Sequence, residues 1–243
     1  MDTQSYNDLL QKNITKTYKK ATPDTADSIE LKAKDIAKKL QLDSSINTTA
    51  KREAFITLKD HKTNFANNPT CRLINPTKSE IGKISKQLLD RINTTLVSKL
   101  KLIQWKNTKA VLPWFTGIQH KELHSFIAFD VVEFYPSISI NLLGAALEFA
   151  SKHVTICDDE RHIILQAKSS LLYNCGEPWS KRTSSNLFDV TMGSFDGAES
   201  CELVGTYLLH NIKEMFGNAC NACRNDGLGV TKASPRQAEE GIV

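Results

Sequence analysis

The spacing of apolar positions switches between helical and extended along the chain, in the mixed order an α+β fold needs. Over residues 1–53, Leu31, Ile36, Ala37 and Leu40 recur near helical spacing, with Lys32, Lys34, Lys38 and Lys39 taking much of the remaining surface. Thr22-Pro23-Asp24 and Asp43-Ser44-Ser45 break that stretch. Phe55-Ile56-Thr57-Leu58-Lys59 then predicts a strand, and Cys71-Arg72-Leu73-Ile74-Asn75, closed by Pro76, predicts a second. The polar run 60–69 between them makes a hairpin that gathers Lys59, Lys62 and Arg72. A long helix should start at Ser79 with Glu80 in its first turn and run towards Leu102. Along it Ile81, Ile84, Leu88, Ile92, Leu96 and Leu100 keep a three-to-four spacing. A further helix is expected over about 107–119.

The second half opens with Ile127-Ala128-Phe129, a short apolar run that predicts a strand buried on both faces, and it ends in Asp130. A buried strand seldom ends in an acid, because an unpaired buried carboxylate is expensive. Asp130 should therefore face a cation or a cleft. Phe134-Tyr135-Pro136 follows, and the proline stops the strand. Helices are expected over 142–150 and roughly 158–172. A Gly-punctuated loop over 191–198 feeds another helix over 199–215. Residues 220–230 read as strand, tight turn, strand, with Asn225-Asp226-Gly227 supplying the turn chemistry.

At 243 residues the chain can bury a full core and has room for two subdomains. Its hydrophobic and charged fractions, 40% and 24%, are those of a globular protein. No apolar run approaches the roughly 18 residues of a membrane span, and Met1-Asp2-Thr3-Gln4 opens no signal peptide. The expectation is an intracellular protein with reduced thiols and no membrane partner. Its six cysteines are scattered singly apart from Cys220-x-x-Cys223, which without a second pair or nearby His is a poor zinc site. The net charge of +4 hides an asymmetry. Residues 1–120 hold 21 Lys and Arg against 11 Asp and Glu, a net of +10, whereas residues 121–243 hold 10 against 16, a net of −6. A basic half followed by an acidic one suits a polyanion-binding surface beside a metal-binding one, although solvated Lys-rich helix faces would give the same count.

Two acidic runs look like sites and are read otherwise. Asp158-Asp159-Glu160 precedes Ile163-Ile164-Leu165, so it marks a helix start, where acids favour the macrodipole. Phe188-Asp189-Val190 echoes the Asp130 segment but leads into the Gly loop, so Asp189 is expected to be structural. No phosphate-binding P-loop, Ser-His-Asp order or His-Glu-x-x-His occurs.

Asp130 at a strand end and Asp226 at a hairpin tip are the residue types and settings that a polymerase uses to hold two Mg²⁺ ions about 4 Å apart. Phe129-Asp130-Val131-Val132-Glu133-Phe134-Tyr135-Pro136-Ser137-Ile138 resembles the first catalytic motif of reverse transcriptases, and the resemblance to retroelement reverse transcriptases extends over roughly residues 54–232. It implies an α+β right-hand polymerase fragment: an N-terminal helical extension (1–53), a fingers-like segment (54–123) and a truncated palm (124–243). Lys59, Lys62 and Arg72 would grip the triphosphate of a deoxynucleotide, Arg offering a bidentate fork to phosphate oxygens. Tyr135 would be the gate beneath the sugar, with Phe134 beside it at the substrate. Met192-Gly193 with Gly197-Ala198 resembles the loop that packs on the template and the nascent pair, with Gly193 and Gly197 allowing close approach. Asp130, Val131 and Asp226 would hold the two Mg²⁺ ions, and an RNA or DNA template-primer would be the partner.

The chain departs from that pattern in several places. Met192 replaces a common Gln and Gly197 a common Ser. Cys223-Arg224-Asn225-Asp226 falls where the family has Tyr-x-Asp-Asp, so Asn225 stands at the place of the more important hairpin carboxylate. A neutral amide there removes charge from between two cations and is the weaker ligand. Val243 falls soon after the hairpin, which leaves most of the last palm element and the thumb outside the expected arrangement. The expectation is weakened or absent RNA-directed DNA synthesis. The rivals are a non-catalytic nucleic-acid-binding remnant of a retroelement and an inert, misfolding product.

Overall fold

The computed structural model describes residues 2–41, 51–101, 105, 107–182, 187–216, 220–223 and 226–231. Its helices are α1 (Thr3–Thr17), α2 (Pro23–Lys39), α3 (Glu80–Leu100), α4 (Thr108–Gly117), the short α5 (Phe134–Ser137), α6 (Ile140–Ser151), α7 (Asp158–Gln166) and α8 (Gly197–Phe216). The strands are β1 (Tyr18–Lys20), β2 (Phe55–Leu58), β3 (Cys71–Ile74), β4 (Ser125–Asp130), β5 (Leu172–Asn174), β6 (Glu177–Lys181), β7 (Cys220–Cys223) and β8 (Asp226–Thr231).

Caps set where the helices begin. The Ser79 hydroxyl accepts from the Gly82 N–H at 3.0 Å at the head of α3, and Ser139 accepts from Leu142 at the head of α6. Asp158 and Asp159 lie in the first turn of α7, and the Cys157 N–H donates to Glu160 Oε2 at 3.2 Å. The acidic run therefore starts a helix, as its position before the apolar residues implies. Helix α7 ends at Gln166, six residues short of the sequence expectation. The reason is the Lys168-Ser169-Ser170 turn, where Ser170 N–H donates to the Leu187 carbonyl and the chain turns into β5.

The main core is helical. Leu89, Ile92 and Leu96 of α3 pack with Leu143 and Leu147 of α6, Ile164 of α7 and Leu203 and Val204 of α8, all fully buried. Three small antiparallel sheets surround it, in the orders β2–β3, β1–β6–β5 and β4–β8–β7. Strands β1, β5 and β6 are absent from the sequence reading. Strand β1 pairs with β6 in the register Tyr18↔Lys181 and Lys20↔Trp179, so the segment after α1 completes a sheet built by residues 172–181.

Strand β4 is not buried on both faces. Among the described residues it pairs on one side only, with β8. Phe126, Ala128 and Asp130 are exposed, and Phe126 rests against Phe115 of α4 with ring centroids 5.5 Å apart. The apolar run there is that of an edge strand half covered by a neighbouring helix. Among the described residues no helix is long and apolar enough to cross a membrane.

Candidate functional site

The β4–β8 register runs from Ser125↔Thr231 to Asp130↔Asp226, which makes the two aspartates of the sequence reading direct ladder partners. Residues opposed in such a ladder have Cα atoms about 4.5–5.5 Å apart. Cys223 of β7 stands opposite Asp226 on its other side. Arg224 and Asn225, which join β7 to β8, lie outside the described residues.

Asp130 opens onto a cleft of about 550 Å³. The β2–β3 hairpin forms one wall and brings Lys59, Lys62 and Arg72 to it, joined by His61 and Cys71. The hairpin geometry follows from its pairing: Thr57 opposes Arg72, and beyond it the Lys59 N–H donates to the Thr70 carbonyl at 2.8 Å. The β4–α5 turn also lines it, through Asp130, Val131, Glu133, Phe134 and Tyr135. Glu133 adopts a left-handed backbone (φ 51°, ψ 45°), and the Ser137 hydroxyl donates to its carbonyl at 2.9 Å. That turns the chain sharply from strand into α5 and presents Tyr135, half-buried, to the cleft. Phe134 is only 7% exposed and spends its ring mainly on the core. Val131 is half-buried and packs on the same core.

The loop before α8 forms the third side through Asp189, Val190, Thr191 and Met192. Gly193 lies next to it with φ +111°. A Cβ there would fall 2.9 Å from Ile74 Cγ2 and 3.0 Å from the Asn75 carbonyl oxygen. The Asn75 N–H donates to the Met192 carbonyl at 2.9 Å, so the loop is fastened to the end of β3. Gly197 is similarly confined, against the Thr191 carbonyl and the Ser194 hydroxyl. In both places the close approach is to the chain's own backbone. Asp158 and Asp159 do not line the cleft.

Several cleft residues escaped the sequence reading. Helix α1 contributes Asn13, Lys16 and Thr17, and Lys16 reaches Glu133 at 3.4 Å. This exposed pair contributes little stability. Beneath the cleft, Tyr18, Lys181 and Asp189 form a buried network. The Tyr18 hydroxyl donates to Asp189 Oδ2 at 2.5 Å, Lys181 Nζ lies 3.1 Å from Oδ1, and the same Nζ donates to the Pro136 carbonyl at 2.8 Å. Asp189 is thus a structural acid, as its place before the Gly loop suggested. No sequence signal marked Tyr18 or Lys181 as its partners, because they lie about 170 and 8 residues away, one on a three-residue strand and the other on a strand with Pro178 in it.

Burial, followed by the Asp189 charge and hydrogen bond, raises the Tyr18 hydroxyl well above its ordinary value of 10.0. The folded chain therefore holds this proton more tightly than the unfolded one. The stabilisation is fully present below pH 10 and is lost as pH rises beyond it, because only the unfolded tyrosine then ionises. Tyr18→Phe should flatten the alkaline limb of stability by up to about 1.4 kcal/mol per pH unit. Denaturant unfolding at pH 8, 10 and 11 measures this; equal alkaline losses in both proteins would show that Tyr18 ionises normally in the fold. Burial also pushes the Cys71 thiol up, partly offset by Lys59, so it stays protonated and unreactive near neutral pH.

No protein-family model and no curated protein matches the chain in sequence. Solved structures match its fold. Apo telomerase from Candida tropicalis superposes with a TM-score of 0.62 at 10% identity, covering 100% of this chain and 46% of that one. Telomerase from Candida albicans, in complex with the TWJ fragment of telomeric RNA, superposes with a TM-score of 0.53 at 12% identity, covering 98% of this chain and 43% of that one. The chain spans less than half the length of either. At these identities the likeness is one of fold: a mixed α and β arrangement shared with both telomerase structures.

Proposed function

We propose that the chain is a reverse-transcriptase-like domain, with fingers over 54–123 and palm over 124–243, that binds a template-primer and a deoxynucleoside triphosphate in the 550 Å³ cleft. One observation carries the reading: Asp130 is the ladder partner of Asp226 and lines the same cleft as Lys59, Lys62 and Arg72. A triphosphate needs cations for its phosphates and carboxylates for its metal ions, and the lining of this cleft includes both. The fold shared with telomerase, a polymerase related to reverse transcriptases, supports the assignment.

Two Mg²⁺ ions are the cofactor this reading implies. Among the described residues no group of three or more His, Cys, Asp or Glu gathers, so the metal reading rests on Asp130 and Asp226. By residue type, Asp130 and Asp226 with the Val131 carbonyl and the Asn225 amide would offer oxygen donors only, which suits a hard cation. When bound, the ions would neutralise phosphate charge and lower the pKa of a primer hydroxyl. Lys59, Lys62 and Arg72 hold the phosphates, and Tyr135 stands beneath the sugar, where its ring disfavours a 2′ hydroxyl. A retroelement origin rests on the motif resemblance, and an intracellular location on the cysteine pattern, scattered singly apart from Cys220 and Cys223.

Asn225 gives the non-catalytic reading a specific footing. A remnant that only binds nucleic acid would hold phosphates with steep salt dependence and no need of Mg²⁺. Primer extension separates the two. Losing one carboxylate at such a centre costs several kcal/mol of transition-state stabilisation, so Asn225→Asp should raise extension by about 10²-fold or more. Mn²⁺ should partly rescue the unmodified chain. Extension that is absent in both forms and with both metals would leave the binding remnant as the function.

A further inference from the structure

The buried Tyr18–Asp189–Lys181 network ends on the peptide next to Tyr135, and that placement gives it a role beyond stability. Tyr18 and Lys181 are direct ladder partners on β1 and β6, and both reach the same carboxylate, one at each oxygen. Lys181 then uses the same Nζ to reach across to the Pro136 carbonyl at 2.8 Å. Helix α5 is a single turn, so its last carbonyls have no partner within it, and the ammonium group supplies one. Its side chain is 7% exposed and that of Asp189 3%, which keeps water from replacing either contact. The network therefore joins three separate parts of the chain at one point: the β1–β6–β5 sheet, the loop leading to Met192, and the Phe134-Tyr135-Pro136 turn.

We infer that Lys181, oriented by Asp189 and Tyr18, is a positioning residue that sets where the Tyr135 ring stands in the cleft and so sets the discrimination between deoxyribose and ribose. This inference rests on the nucleotide-binding reading of the cleft for its consequence, but not for its geometry. Without the ammonium group α5 keeps its fold through the Ser137 and Ile138 backbone bonds and its packing on the core, yet loses the Lys181 bond from the β1–β6–β5 sheet. A ring displaced by even about 1 Å changes how closely a 2′ hydroxyl is met.

The test labels the chain uniformly with 3-fluorotyrosine, whose five resonances are assigned by single Tyr→Phe changes. Two variants are compared with the unmodified chain: Lys181→Met, which keeps the apolar stem, and the milder Lys181→Gln, which keeps a polar end but is too short to hold both Asp189 and the Pro136 carbonyl. In each folded variant the Tyr135 resonance should shift or broaden, while Tyr6 and Tyr207, outside the network, keep theirs. Titration with dGTP and GTP in Mg²⁺ should show a preference for dGTP in the unmodified chain that shrinks by about threefold or more in the variants. A Tyr135 resonance unmoved in the folded variants overturns the inference, as does an unchanged sugar preference. If Lys181→Met does not fold, Lys181→Gln decides alone. If Tyr135 shifts but the unmodified chain binds neither nucleotide, the positioning stands and the nucleotide reading of the cleft is what fails.

Discussion

Lys168→Met should destabilise the fold by about 3–5 kcal/mol, the largest loss expected from any single side chain outside the apolar core. Lys168 and Asp196 form an ion pair with side chains 1% and 0% exposed. Lys168 follows α7, whereas Asp196 immediately precedes α8, so the pair fastens two helices of the main core. Deleting the ammonium leaves a carboxylate with no cation and no water in a low-dielectric interior. A pair removed as a whole costs much less, because no charge is then left uncompensated. Lys168→Met with Asp196→Leu should therefore recover much of the loss. Urea denaturation of the single and double variants measures both effects. If the single change costs under about 1 kcal/mol, the two groups are solvated and the buried pair does not form.

Gly193→Ala should cost about 2–4 kcal/mol and should also loosen the cleft. The backbone there has φ +111°, which an L side chain rarely adopts, and the new methyl would meet Ile74 Cγ2 and the Asn75 carbonyl oxygen. Relief requires the loop to lift from β3, which stretches the bond from Asn75 N–H to the Met192 carbonyl. Arg72 and Met192 line the same cleft on either side of that joint, so the damage should reach ligand binding as well as stability. Thermal unfolding reads the first effect and triphosphate titration the second. A variant as stable as the unmodified chain would mean that the loop is not pressed against β3.

Much of this arrangement can be read from sequence because its signals are local. The β2–β3 hairpin declares itself by a polar turn between two short apolar runs, and α3 by a three-to-four apolar repeat over 21 residues; the β7–β8 pair is legible too, but Asp226 and Gly227, expected in its turn, belong to β8 and pair with Cys223 and Ala222. Asp130 stood out because a charge at the end of an apolar run calls for an explanation. What could not be read depends on distant partners. Strands β1 and β5 have three residues each and no alternation to detect, so the sheet that carries Tyr18 and Lys181 is invisible until it is assembled. Lys168 and Lys181 look like surface lysines, since a buried lysine has the same local sequence as an exposed one. The burial of β4 was misjudged for a related reason: an apolar run fixes the strand, but not how many neighbours cover it.

The central claim is that the Asp130–Asp226 pair and the basic hairpin form one metal-dependent nucleotide site. It is tested most directly by titrating the chain with a deoxynucleoside triphosphate, with Mg²⁺ and with EDTA, and repeating this with Asp130→Asn. The site described here predicts binding that needs Mg²⁺ and weakens by about tenfold or more in Asp130→Asn, while affinity for a template-primer at low salt is retained. Triphosphate binding that is equally strong in EDTA, or unchanged by Asp130→Asn, would contradict it.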